Sequence, residues 1–100
     1  MLILHAMELE ITNHPEAGRF EGKIEGKTAV VEYMDRPDKI VFTHTEVPVG
    51  LEGKGVGSAM AKHVLDYARE INKKVLPLCP FIKAYIQRHP EYKDNLVVGF

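Results

Sequence analysis

A β-like run enters, and an amphipathic helical pattern leaves, the segment Val47-Pro48-Val49-Gly50-Leu51-Glu52-Gly53-Lys54-Gly55-Val56-Gly57-Ser58-Ala59. No other stretch constrains the fold as tightly. Glycines at 53, 55 and 57 let the backbone approach a ligand with no Cβ in the way. The helix that follows opens with unpaired N–H groups and the positive end of its dipole, an anion site suited to a pyrophosphate. A tight turn with close packing is the competing reading of the same glycines. Lys54 adds charge complementarity toward phosphate or is simply solvated, and Ser58 can cap the helix or donate to the ligand. Spacing removes two familiar phosphate loops. A Walker-type loop needs Gly-Lys-Ser/Thr at its end, whereas Val56 follows Gly55, and a dinucleotide fingerprint needs a glycine where Met60 stands.

Hydrophobic periodicity gives the elements on either side. Met7 to Asn13 alternates apolar and polar residues, the period-two pattern of a half-buried strand, and residues 13–18 carry turn chemistry. Arg19 to Glu25 is a second strand with Phe20, Gly22 and Ile24 on one face, entered with no helix in between. Gly26-Lys27 suits a tight hairpin into a third strand, Thr28 to Met34. Lys39 to Val47 reads as a fourth strand, with Val41, Thr43, Thr45 and Val47 on one face and Phe42, His44 and Glu46 on the other. After the loop the period changes. Val56, Met60, Val64, Leu65, Ala68 and Ile71 form one apolar helical stripe that Asn72 can close. Residues 73–78 make a short strand able to pair parallel to the fourth through a right-handed crossover. Pro80 fits the first turn of a second helix running to about His89, and Leu96 to Phe100 can add a last strand. The expected class is α+β: an antiparallel β-meander followed by a β-loop-α-β-α unit.

One hundred residues fit a single domain. Thirteen Lys and Arg against 14 Asp and Glu leave a net charge of −1, too little to steer the chain to nucleic acid or an anionic membrane. A single cysteine forms no internal disulfide, and no Cys/His pair has zinc-ligand spacing, so the expected location is the cytoplasm with no metal. Met1 to Leu4 is apolar, but His5 and Glu8 interrupt it before the length of a signal-peptide core. An edge strand at either end of the sheet leaves a monomer or a weak dimer open.

The pattern Glu52-Gly53-Lys54-Gly55-Val56-Gly57 resembles the coenzyme A loop of the GNAT superfamily of N-acetyltransferases, written Arg/Gln-x-x-Gly-x-Gly/Ala. His44-Thr45-Glu46-Val47-Pro48 before it, and Leu78-Cys79-Pro80-Phe81-Ile82-Lys83-Ala84-Tyr85-Ile86 after the helix, look like the small single-domain branch of that superfamily. The likeness spans about residues 8–94. Glu52 departs from it, standing where Arg or Gln is usual.

The resemblance implies a compact fold lacking the helices that longer members place between their first two strands, and hence an open acceptor site. It implies acetyl-CoA as cofactor, held by Val47, Gly53, Lys54, Gly55, Val56, Gly57 and Ser58, with the thioester where strands four and five splay. The acceptor is an unidentified amine, for which an open site favours a protein lysine or N-terminus. Cys79 is a candidate thiol nucleophile or proton donor at a helix N-terminus, and a lone buried hydrophobe on the plainer reading. His44 is a candidate general base, with Glu46 as its orienting partner or a base through water. Tyr85 matches the tyrosine that many relatives point at the coenzyme A sulfur, with a core role equally open. The alternative function is a coenzyme A or acyl-CoA binding module, a sensor or docking domain without turnover.

Overall fold

The structure, a computed structural model, describes residues 8–93. Its strands are β1 Glu10–His14, β2 Arg19–Ile24, β3 Lys27–Asp35, β4 Lys39–Glu46 and β5 Lys74–Pro77, and its helices are α1 Val56–Glu70 and α2 Pro80–Arg88. One sheet runs in the order β1-β2-β3-β4-β5, antiparallel except for the parallel β4–β5 pair joined across α1. This is the expected α+β architecture. The β1–β2 connection is one 3-10 turn, Pro15–Ala17, closed by Gly18, whose N–H donates to the Pro15 carbonyl. The residues Met1 to Leu4, the start of the first expected strand at Met7, and the tail Leu96 to Phe100 lie outside the described residues.

Two boundaries move for local reasons. The β2–β3 turn is Glu25-Gly26, with φ of 52° and 74°, and Lys27 already pairs with Ile24 in the sheet. A two-residue turn with positive φ at both positions matches the twist of the flanking strands, so the hairpin sits one residue earlier than Gly26-Lys27. Helix α1 ends at Glu70, leaving Ile71 as a partly exposed cap instead of the last member of the stripe. Asn72 does close the helix. At φ 60° it turns the chain so that the Lys73 N–H donates to the Ala68 carbonyl at 3.0 Å.

The larger correction is in β4. Glu32 pairs with His44 but Tyr33 pairs with Phe42, so Thr43 is an extra residue, a β-bulge. Directly opposed residues share a face. Val31 opposes Thr45 and Tyr33 opposes Phe42, which puts Thr45 on the same face as Phe42. His44 and Glu46 lie on the other face with Val41, not with Phe42. The Thr43 hydroxyl donates to the Glu32 carbonyl at 3.3 Å, tying the bulge to β3.

Both helices pack on the face bearing Ile11, Phe20, Ala29, Val31, Tyr33 and Phe42, and contact each other. Phe20 is fully buried, its ring within 5.2–5.8 Å of those of Tyr33, Tyr67 and His63. The α1 stripe supplies Val56, Met60, Val64, Leu65 and Ala68 to the same core. The opposite face carries charged and polar side chains, among them Arg19, Glu21, Lys23, Glu32, His44 and Glu46.

A polar clasp holds the segment after α2 on α1. The Tyr92 hydroxyl donates to Asp66 at 2.6 Å, Lys62 pairs with Asp66 at 2.8 Å, and Arg69 stacks over the Tyr92 ring. Burial pushes the Asp66 carboxyl up, but the hydrogen bonds from Lys62 and Tyr92 outweigh it and the pKa falls below the usual value. Its stabilisation is therefore present above the unfolded carboxylate pKa of about 4 and lost as pH falls through the lower folded value. Tyr92→Phe should cost about 1.5–3 kcal/mol at neutral pH. Denaturant titrations at pH 7 and pH 3 should show the gap between variant and wild type narrowing in acid, and an equal gap at both would remove Asp66 from the account.

Candidate functional site

The chain leaves β4 at Glu46 and crosses to α1 in two successive turns, with the Leu51 N–H on the Pro48 carbonyl at 3.1 Å and the Lys54 N–H on the Leu51 carbonyl at 3.3 Å. Leu51 is fully buried and pins this polar loop to the core. Gly55 caps α1 at φ 80°, a left-handed conformation that a side chain resists. The helix has no side-chain cap and no acid in its first turn. Among the described residues no side chain caps the helix, so the N–H groups of Val56, Gly57 and Ser58, which have no intrahelical acceptor, stay open. Gly57 faces Phe81 of α2 so closely that a Cβ would lie 2.6 Å from the ring.

These pieces enclose a cleft of about 460 Å³ lined by Val47, Leu51, Glu52, Gly53, Gly55, Val56, Gly57, Ser58 and Phe81. It joins a row of backbone donors to apolar walls. Beside it, β4 outruns β5: the last pair is Phe42 with Pro77, and residues 43–46 continue without a partner on that side among the described residues. The chain turns away through Cys79, whose N–H still donates to the Phe42 carbonyl at 2.9 Å. Cys79 is buried, caps α2, and lies 3.2 Å from the Thr45 hydroxyl. His44, the neighbouring residue on β4, is exposed on the far face. The two catalytic candidates thus flank one stretch of strand edge from opposite sides and do not meet across a single face.

A family profile described as GCN5-related N-acetyltransferase matches residues 19–95. The chain belongs to that family. The mouse protein NATD1 is 32% identical over 81 residues, covering 78% of this chain and 72% of its own length, and the chicken NATD1 is 31% identical over the same shares. The NMR solution structure of a GCN5-like candidate N-acetyltransferase from Staphylococcus aureus superposes with a TM-score of 0.70 at 30% identity, over 92% of this chain and 90% of that one. The fold is that of a small single-domain GCN5-related acetyltransferase.

Against the family pattern, the loop residues Val47, Gly53, Gly55, Val56, Gly57 and Ser58 all line the cleft, while Lys54 and Tyr85 do not. The Lys54 ammonium turns to Glu25 of the β2–β3 hairpin at 3.4 Å. Tyr85 is buried between the helices, stacked on His89 at 4.1 Å and 6.1 Å from the Tyr92 ring. Burial raises its pKa, as for any phenol packed away from water. The core role is the one its surroundings support. The sequence reading missed Leu51, Phe81 and Thr45. Leu51 had a signal, the one leucine in a glycine-rich loop. Phe81 and Thr45 had none, because their roles come from contacts across 24 and 34 residues of chain. Among the described residues no three side chains cluster as metal ligands, and no helix is long and apolar enough to cross a membrane.

Proposed function

We propose that the chain is an acetyl-CoA-dependent N-acetyltransferase acting on an exposed amine, a protein lysine or N-terminus. The observation that carries this is the cleft: an uncapped helix N-terminus with no acid in its first turn, opening onto apolar walls beside a strand edge unpaired among the described residues. Such a donor set fits a ligand that is anionic at one end and apolar along its length. When bound, acetyl-CoA supplies an activated acyl thioester. The N–H groups of Val56, Gly57 and Ser58, with the dipole of α1, hold the pyrophosphate. Backbone N–H groups near Val47 are the donors available to an acyl oxygen, a role worth about 10²–10³ in rate per donor in other enzymes. On the open face His44 accepts the proton of the attacking amine, with Glu46 two residues along the same face. Cys79 works from the helix side, held by Thr45, as proton donor to the departing thiolate.

The test is calorimetric titration with acetyl-CoA, followed by acetyl transfer to peptides bearing one lysine or one free N-terminus. His44→Gln should lower kcat about 10²-fold and leave the KM for acetyl-CoA unchanged. Cys79→Ala should cost less than His44→Gln, because a thiolate with a pKa of about 8.5 leaves with little help from an acid. Full loss in Cys79→Ala with no effect of His44→Gln would give the chemistry to the thiol. A wild-type protein that binds acetyl-CoA and acetylates no amine would be a binding module.

A further inference from the structure

Among the described residues that line the cleft, Glu52 alone carries a charge, and that charge is negative in a site built to receive an anion. The two nearby ammonium groups do not cancel it by contact: Lys27 donates to the Val49 carbonyl at 2.9 Å and Lys54 pairs with Glu25. Glu52 has a defined partner of its own. Its Oε1 accepts the Gly50 N–H at 2.8 Å, across the bend where Gly50 takes φ 97° and the chain starts the first of the two turns that lead to α1. That hydrogen bond is the main reason its carboxyl is held below the usual range.

We propose that Glu52 is the positioning residue of the cradle. Its carboxylate clamps the Gly50 amide and so fixes the loop that presents the α1 N-terminus, while its charge weakens the pull of that N-terminus on an anionic ligand. The chain accepts weaker cofactor binding in exchange for a cleft shaped before the ligand arrives. This rests on the reading of the cleft as the acetyl-CoA site.

The two halves separate in two variants. Glu52→Gln keeps an oxygen acceptor for Gly50 and removes the charge; Glu52→Ala removes both. Acetyl-CoA affinity is measured by calorimetry at low and high salt, and exchange of the Gly50 amide by NMR in the ligand-free protein. Glu52→Gln should bind about three- to tenfold tighter than wild type at low salt, with the gain shrinking at high salt as a screened repulsion must. Glu52→Ala should bind more weakly than Glu52→Gln, with faster Gly50 exchange. Equal affinity and equal Gly50 exchange in the two variants would overturn the clamp, and weaker binding by Glu52→Gln at low salt would overturn the repulsion. Absence of acetyl-CoA binding by wild type would sink the site assignment instead, and the Gly50 exchange comparison would still decide the clamp.

Discussion

Gly55→Glu is expected to abolish acetyl-CoA binding while leaving the protein folded. Position 55 is the N-cap of α1 at φ 80°, on the wall of the cleft. A carboxylate placed there meets an incoming phosphate at short range. Two like charges about 4 Å apart near a protein surface repel by about 4 kcal/mol, equivalent to a loss of roughly 10²–10³ in affinity. The left-handed backbone adds a folding cost of about 1–2 kcal/mol for a residue with a Cβ. A 100-residue domain should absorb that with a Tm decrease of about 4–16 °C. The measurement is calorimetric titration beside a thermal melt followed by circular dichroism. Retention of wild-type affinity in a folded Gly55→Glu protein would place the phosphate elsewhere.

Phe20→Ala should be the most damaging single change to the fold. Phe20 is fully buried at the centre of the face covered by α1 and α2, with three rings around it supplied by β3 and α1. Removing a buried phenyl ring costs about 3–5 kcal/mol, the lost transfer energy plus the cavity left behind. Total stabilities of domains this size are about 5–15 kcal/mol, so the variant should sit at the edge of folding. Urea titration should show a much lower midpoint with an unchanged slope. A loss below about 1 kcal/mol would mean that Tyr33 and Tyr67 collapse into the space and that the core is centred elsewhere.

Where a signal was local, the sequence carried it. Alternation along β1 and β2, the run of β-formers in β3, the apolar stripe of α1 and Pro80 at the start of α2 each depend on residues close in sequence, and all five elements form on those patterns, with ends displaced by a few residues. The lining of the cleft was legible for the same reason, since eight of its nine residues lie in the continuous stretch 47–58. Non-local facts were not. Phe81 becomes a wall of the cleft only because Gly57 leaves room for it, and Tyr85 is packed against His89 and Tyr92 instead of lining the cleft. The bulge at Thr43 had no signature in composition. Strict alternation was the natural reading of β4, and one unpaired residue was enough to reverse it beyond that point.

That one residue acts as a parity switch for the chemistry of the strand. Beyond Thr43, odd positions look toward the helices and even positions toward water, so Thr45 reaches Cys79 while His44 and Glu46 stand outside. Pulling Thr43 into the ladder, so that the strand alternates strictly, would exchange inside for outside in the triplet that borders the gap, burying an imidazole and a carboxylate and stranding the threonine in solvent. Removing Thr43 altogether would leave all three facing as they do, in a strand without its kink. One residue held out of register, more than the identity of its neighbours, decides which chemistry each side of the sheet can perform.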